Sequence, residues 1–232
     1  SLSMASGNSV TRSAGTSALT VSGTSTLAGS ITTSGTQTYS GAVTLGANTT
    51  LTTTNNLVTF SSTLANSSAS TLGISSGTGG ITFTGAVGSG TALGAVTLTT
   101  SGTTTITSTF AAASLSSGTG TTAINGGSVT TSGTQTYNGA VTLGADTTLT
   151  GSSITTKDTV SGNYGLSISG NAVIGDSTGD TIILGGTGKN LSISGTTTIN
   201  TTTITASGAQ TYTGAVTLGA DTTLTASAGD IA

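Results

Sequence analysis

The stretch at 33–52, TSGTQTYSGAVTLGANTTLT, recurs at 131–150 with 18 of 20 positions identical, and again at 206–225, where 17 of 20 match the second copy. Each copy is entered through a β-branched residue and a threonine: Ile31-Thr32, Val129-Thr130 and Ile204-Thr205. One such unit is too short to bury its own apolar face, so a self-similar chain must stack each unit on its neighbours.

Within the unit, Val43 and Leu45 stand two apart and share one side of a strand, with Thr44 on the other side. Gly41 and Gly46 bracket this strand and suit corners that need positive φ. Asn48, which is Asp146 and Asp221 in the other copies, has a side chain able to hydrogen-bond nearby backbone in a tight corner. Residues 49–52 offer another alternating strand rich in β-branched side chains, and 36–39 offer one before it. The alternation predicts Val43, Leu45, Val141, Leu143, Val216 and Leu218 inside, with Thr44, Thr142 and Thr217 facing solvent.

The same two-residue spacing runs from Leu19 and Val21 through Leu27 and Ile31. It resumes at 57–60, with Asn55-Asn56 as the corner, and again at Leu72 and Ile74 and at Ile81 and Phe83. Residues 1–17 are weakly patterned and read as an edge or a partial coil. Helical spacing of apolar residues is not sustained anywhere. The Val of the GAV core falls at 43, 87, 96, 141 and 216, and pairs of these differ in number by 44, 45, 53 and 75. Those intervals read as two, two, two and three coils of roughly 22–26 residues each, room for three short strands and three corners. The expected fold is all-β, a right-handed parallel β-helix (β-solenoid), with 1–232 as a single continuous body. A β-sandwich gives no reason for near-identical units so far apart.

Composition narrows the function. Hydrophobic residues make up 33% of the chain but aromatics only 3%, so burial is expected from stacked Val, Ile and Leu without a large aromatic core. Having 37 Gly and no Pro suits many corners and unbroken backbone ladders. The cations are Arg12, Lys157 and Lys189 in a chain of net charge −3, which leaves no basic footprint for nucleic acid. The longest apolar run, 182–184, is far short of a membrane span. With no His and no Cys, neither a Ser-His-Asp or Cys-His nucleophile system nor a disulfide can be built, and the usual zinc sites are out of reach.

The runs GTQTYSGAVTLGANTTLT, GTQTYNGAVTLGADTTLTGS and GAQTYTGAVTLGADTTLTAS, with the interleaved NYGLSISGNAVIG, resemble the repeats of filamentous-haemagglutinin-like exoproteins and related autotransporter-type surface proteins of bacteria. The resemblance covers nearly the whole chain from about Ser30 onward. It implies a secreted β-helical stalk at the bacterial cell surface, engaged in adhesion, aggregation or biofilm, and it carries no catalytic residues. On this reading the chain is an extracellular, non-enzymatic rod or filament and an internal piece of a longer repeat protein. It would associate with its own copies end to end or side by side, and its other partners would be surface glycans or other cells. A carbohydrate- or ice-binding module is the second class of function, and a polysaccharide-processing β-helix enzyme the third.

Four features could serve as sites. Asp176 and Asp180, four apart and near Lys189, could form a carboxylate pair, but both sit in Gly-Asp steps that are ordinary turn signals. Residues 185–190, GGTGKN, resemble one calcium-binding nonapeptide, with Asn where Asp is needed and the following apolar residues out of phase. Sequons at Asn48, Asn66, Asn190 and Asn200 are expected by chance in so Thr-rich a chain. The threonine runs 196–198 and 201–203 resemble the arrays of ice-binding solenoids, but such a surface needs T-x-T at every coil and the spacing of these runs is irregular. No catalytic, cofactor-binding or metal residue is therefore assigned.

Overall fold

The structure, a computed structural model, describes residues 1–232, which form 27 β-strands and no α-helix. The chain divides into two compact units, Ser1–Gly120 and Thr121–Ala232. Within each, every strand pairs in parallel with strands about one coil earlier or later, which makes each unit a parallel β-solenoid. No helix is long and apolar enough to cross a membrane.

In the first unit, Leu19–Val21, Gln37–Tyr39, Val58–Phe60, Ile81–Phe83 and Thr104–Ile106 stack as successive rungs of one face. The chain visits two further faces between rungs. Ser25–Thr33, for example, covers both and bends at Gly29, where φ is +120° and an added Cβ would collide with Asn8 O. Equivalent rung positions fall at Leu19, Gln37, Val58, Ile81 and Thr104, so successive coils advance the numbering by 18, 21, 23 and 23. The shortest is three equal sides with nothing added. The longer ones bulge at corners such as Asn55, which adopts φ 57°. The first two coils are thus shorter than expected, because a side needs only a three-residue strand and an equally short turn. Leu2–Ser3 and Asn8–Arg12 pair with Ser25–Thr33 as a partial coil.

Inward side chains form columns. Ser25, Val43, Leu64, Val87 and Phe110 make one, and Ile31, Leu51, Ile74 and Leu98 another. Val43 and Val87 are two coils apart, as expected, whereas Val96 stacks on Leu72 in a different column, so its GAV is not in phase with theirs. Each fully buried aliphatic side chain contributes about 1.5–3 kcal/mol. The few aromatics concentrate here: Tyr39 stacks on Phe60 at 5.2 Å and Phe60 on Phe83 at 5.4 Å, and Phe83 meets Phe110 edge-on. There is no large aromatic core, but Tyr39, Phe60 and Phe83, at one register position on three successive coils, build a stack worth about 0.5–1.5 kcal/mol per pair. Gly41 and Gly46 are at corners, but neither has positive φ. Gly41 is required for another reason: a Cβ there would sit 2.5 Å from the Gly23 backbone on the adjacent coil.

In the second unit one face stacks Thr122–Ile124, Val141–Leu143, Val160–Gly162, Thr181–Leu184, Thr203–Ala206 and Thr223–Ala226. A second face carries 147–150, 166–169, Leu191–Ile193 and Gln210–Tyr212. A third carries Thr134–Tyr137, 153–156, 171–174, Thr197–Ile199 and Val216–Leu218. The two copies of the sequence unit found here therefore occupy different faces. Gln135, Val141 and Thr148 lie on the third, first and second faces, whereas Gln210, Val216 and Thr223 lie on the second, third and first. The interval from Val141 to Val216 spans three coils and two additional faces, which corrects the reading of three whole coils.

The unit's Gln and Tyr are bonded alike in all three copies. Gln37 Nε2 donates to Ile31 O (3.2 Å) and Thr52 O (2.9 Å), and Tyr39 Oη donates to Gln37 Oε1 (3.0 Å). Gln135 with Tyr137, and Gln210 with Tyr212, repeat the arrangement. The glutamine ties the preceding side of its own coil to the next coil, adding a side-chain donor to two carbonyls of the backbone ladder and leaving its own buried amide paired. Val43, Leu45, Val141 and Leu143 point inward, while Thr44, Thr142 and Thr217 do not. Val216 and Leu218 stand opposite the inward Thr197 and Ile199, as the alternation argument requires, yet are 42% and 56% exposed. Their strand pairs on one side only, with Thr197–Ile199, so no further coil covers them.

Candidate functional site

Two charged residues of the second unit, Asp146 and Lys189, meet where the turn 185–190 meets the second face. Lys189 Nζ lies 2.9 Å from Asp146 Oδ1 and 5.6 Å from the centroid of the Tyr164 ring. Asp146 Oδ1 also accepts the Gly165 N–H at 2.8 Å. That backbone hydrogen bond, and then the Lys189 ammonium, hold the Asp146 carboxyl below its ordinary pKa. Gly186 and Gly188 take positive φ, which lets the turn stand out as one wall of an open groove of about 350 Å³. Its floor is the outward hydroxyls of Thr148, Ser167 and Ser192. Residue type alone does not mark Tyr164, because a lone Tyr beside Gly in a corner gives no signal until the coil places Lys189 over it.

Lys189 therefore pairs with Asp146 and not with the Asp176 and Asp180 near it in sequence. Asp180 is buried, and its Oδ2 accepts the Asp176 and Ser177 N–H groups at 2.9 and 2.8 Å, closing the turn that begins at Gly175. Within 185–190, Asn190 Oδ1 accepts Ala209 N–H at 2.9 Å, and Lys189 would set an ammonium against any bound cation.

The corner Asn and Asp residues act between coils. Asn48 accepts Thr71 N–H at 2.9 Å, Asn55 accepts Thr78 N–H at 3.0 Å and Asn171 accepts Thr196 N–H at 3.0 Å, each reaching the following coil as Asp146 does. Asn66 and Asn200 use their Nδ2 as donors, to Ala92 O and Gly175 O.

No family model matches the chain, and neither curated proteins nor solved structures give a match.

The threonine runs at 196–198 and 201–203 do not form a flat outer array. Thr197 and Thr201 are buried, and Thr201 Oγ1 donates to Asp180 O. A regular array does exist elsewhere, on the first unit's face of short rungs. Thr20, Thr38, Thr59, Thr82 and Thr105 are directly opposite one another on five successive coils, all facing outward. Two positions further along each rung stand Ser22, Ser40, Ser61, Thr84 and Thr107, all exposed. Their backbones continue the ladder, as in Ser40 N–H to Val21 O and Thr107 N–H to Phe83 O. In the sequence the Thr positions are 18, 21, 23 and 23 apart and look unrelated. The unequal lengths are absorbed at the corners, and the face itself has no register shift.

Proposed function

We propose that this chain is a non-enzymatic structural segment of a bacterial surface exoprotein, one that carries or itself forms an adhesive surface in aggregation or biofilm. The observation that supports this is how the polar side chains are used. Asn48, Asn55, Asp146, Asn171, Asn190 and the three Gln each bond the backbone of a neighbouring coil, so the groups a reactive site would draw on are engaged in holding the stack together. A solenoid stabilised by such nearest-neighbour contacts can be lengthened coil by coil without a new core, which suits a spacer or stalk. The repeat-level resemblance to filamentous-haemagglutinin-like exoproteins supports an extracellular setting and partners such as surface glycans or further copies of the chain.

The test is to display residues 1–232 on a non-aggregating laboratory bacterium and measure autoaggregation and attachment to glycan-coated surfaces against an empty display vector. A gain in either supports the reading. Unchanged cells, or hydrolysis of any of a panel of polysaccharides by the purified chain, would remove it.

A further inference from the structure

We infer that the threonine face of the first unit is a binding surface for crystalline water, that is, for ice. Two ranks of hydroxyls, led by Thr20 to Thr105 and by Ser22 to Thr107, run side by side over five consecutive rungs, bordered by the mixed rank Ala18, Thr36, Leu57, Gly80 and Thr103. Parallel strands set the rungs about 4.8 Å apart, and two residues of extended chain set the ranks about 6.7 Å apart. The result is a rectangular lattice of hydroxyls with both spacings near oxygen repeats of hexagonal ice. None of these ten hydroxyls forms a side-chain hydrogen bond elsewhere in the protein, so each can hold a water in place.

Threonine suits the task at the level of the side chain. Its Oγ1 hydrogen-bonds water while its methyl group leaves the adjacent water little choice of orientation. Its β-branch keeps χ1 in few states, so the array loses little entropy when a solid surface forms over it. The plane is backed by rigid packing: Tyr39, Phe60 and Phe83 stack directly behind the central rungs, between Thr38 and Thr84.

Charge and shape select this occupant over others. All six acidic residues and both lysines lie beyond Gly120, which leaves Arg12 as the one charged side chain of the first unit. A neutral face offers nothing to nucleic acid, acidic glycans or a lipid headgroup. A crystalline polysaccharide would be gripped by exposed aromatic rings, but Tyr39, Phe60 and Phe83 are all turned inward and buried. The second unit also has outward Ser and Thr at Thr148, Ser167 and Ser192, but there the Lys189 turn and the Asp146 ion pair make the surface concave and charged. A second array in the same unit as the proposed face, Thr11, Thr32, Thr52, Ser75 and Thr99 beside Ser9, Ser30, Thr50 and Thr97, is interrupted by Gly73, so the face of short rungs is the one with no gap in either rank.

The experiment uses the whole chain, 1–232, and reads thermal hysteresis, crystal shape in a nanolitre osmometer and partition of fluorescently labelled protein into a growing ice hemisphere. Thr59→Tyr and Thr82→Tyr place a bulky ring in the middle of the array, on outward positions where the fold has room. Thr44→Tyr does the same on a face of the same unit where the next coil presents Ala65, and serves as the control, with far-UV circular dichroism and thermal melts confirming that all three fold. The expected result is faceted crystals and measurable hysteresis for the unaltered chain and for Thr44→Tyr, with loss of most of that activity in Thr59→Tyr and Thr82→Tyr. Unshaped ice with the unaltered chain, equal loss in the control, or binding to crystalline cellulose or chitin but not to ice would each overturn the proposal. The adhesion assay above is independent of all these readouts.

Discussion

Tyr137 donates its hydroxyl hydrogen to Gln135 Oε1 at 2.8 Å, and both side chains are buried. Because Gln135 Nε2 in turn donates to Val129 O and Thr150 O, one pair of side chains makes three hydrogen bonds in the interior. The two residues should therefore be unequal in stability. Tyr137→Phe removes one hydrogen bond and should cost about 1 kcal/mol. Gln135→Leu removes three hydrogen bonds and leaves the buried Tyr137 hydroxyl without its acceptor, and should cost about 3 kcal/mol or more. Urea unfolding followed by circular dichroism compares them, and a Gln135→Leu protein no less stable than Tyr137→Phe would refute this account.

Leu143 and Leu218 hold the same place in two copies of one sequence, yet they are 5% and 56% exposed. Leu143→Ala should cost about 2–4 kcal/mol, a large-to-small change in a packed column. Leu218→Ala should stay within about 0.5 kcal/mol. Equal losses in thermal melts would mean that the last coil is covered in solution.

Burial pushes the Tyr212 hydroxyl up to about 12 and those of Tyr39 and Tyr137 further still. An acid whose pKa is raised by folding binds more protons in the native state than in the unfolded one once pH passes the unfolded value of about 10. Stability contributed by the neutral form is complete below that pH and falls as pH rises towards the native values. Phenolate absorbance from Tyr39, Tyr137 and Tyr212 should rise only together with loss of the β circular dichroism signal. Independent, fully reversible ionisation of these three tyrosines near the unfolded pKa would contradict the buried assignments.

The Asp146 carboxyl is held below its ordinary pKa first by the Gly165 N–H and then by Lys189. Its contribution is present above the unfolded carboxylate pKa of about 3.9 and fades as pH falls through the lower native value. Lys189→Met should raise the Asp146 pKa only part of the way, because the backbone donor stays. Carboxyl-carbon NMR titration reads this directly, and a full return to the unfolded value in Lys189→Met would show that the Gly165 hydrogen bond has no influence.

Much of the fold is legible from residues alone, because side-chain alternation in 42–45 and 49–52 and the corner chemistry of Asn48 and Asn55 are local facts. The phase of each copy on the coil is not. It depends on the summed lengths of every corner in between, and those corners vary from coil to coil. The same variability hides the threonine lattice: Thr20, Thr38, Thr59, Thr82 and Thr105 have no common sequence interval, whereas the tandem runs 196–198 and 201–203 are conspicuous in the sequence and partly internal in the fold. Gln37, Gln135 and Gln210 escape a sequence reading for a similar reason. A buried amide is recognisable only once the carbonyls it bonds are in place.

The one-face offset between the copies at 131–150 and 206–225 has a genetic consequence. Recombination between these near-identical stretches would delete everything between equivalent positions and join the front of one copy to the back of the other. All that lies downstream would then re-enter the stack turned by a third of a revolution. Since each side of the coil accepts the same alternating strand, the shortened product still has an inward residue for every column. Offspring of such events would differ in length and in which way their surfaces look, while remaining foldable, so this stretch of gene can be cut and spliced at its own repeats to vary what is displayed outward.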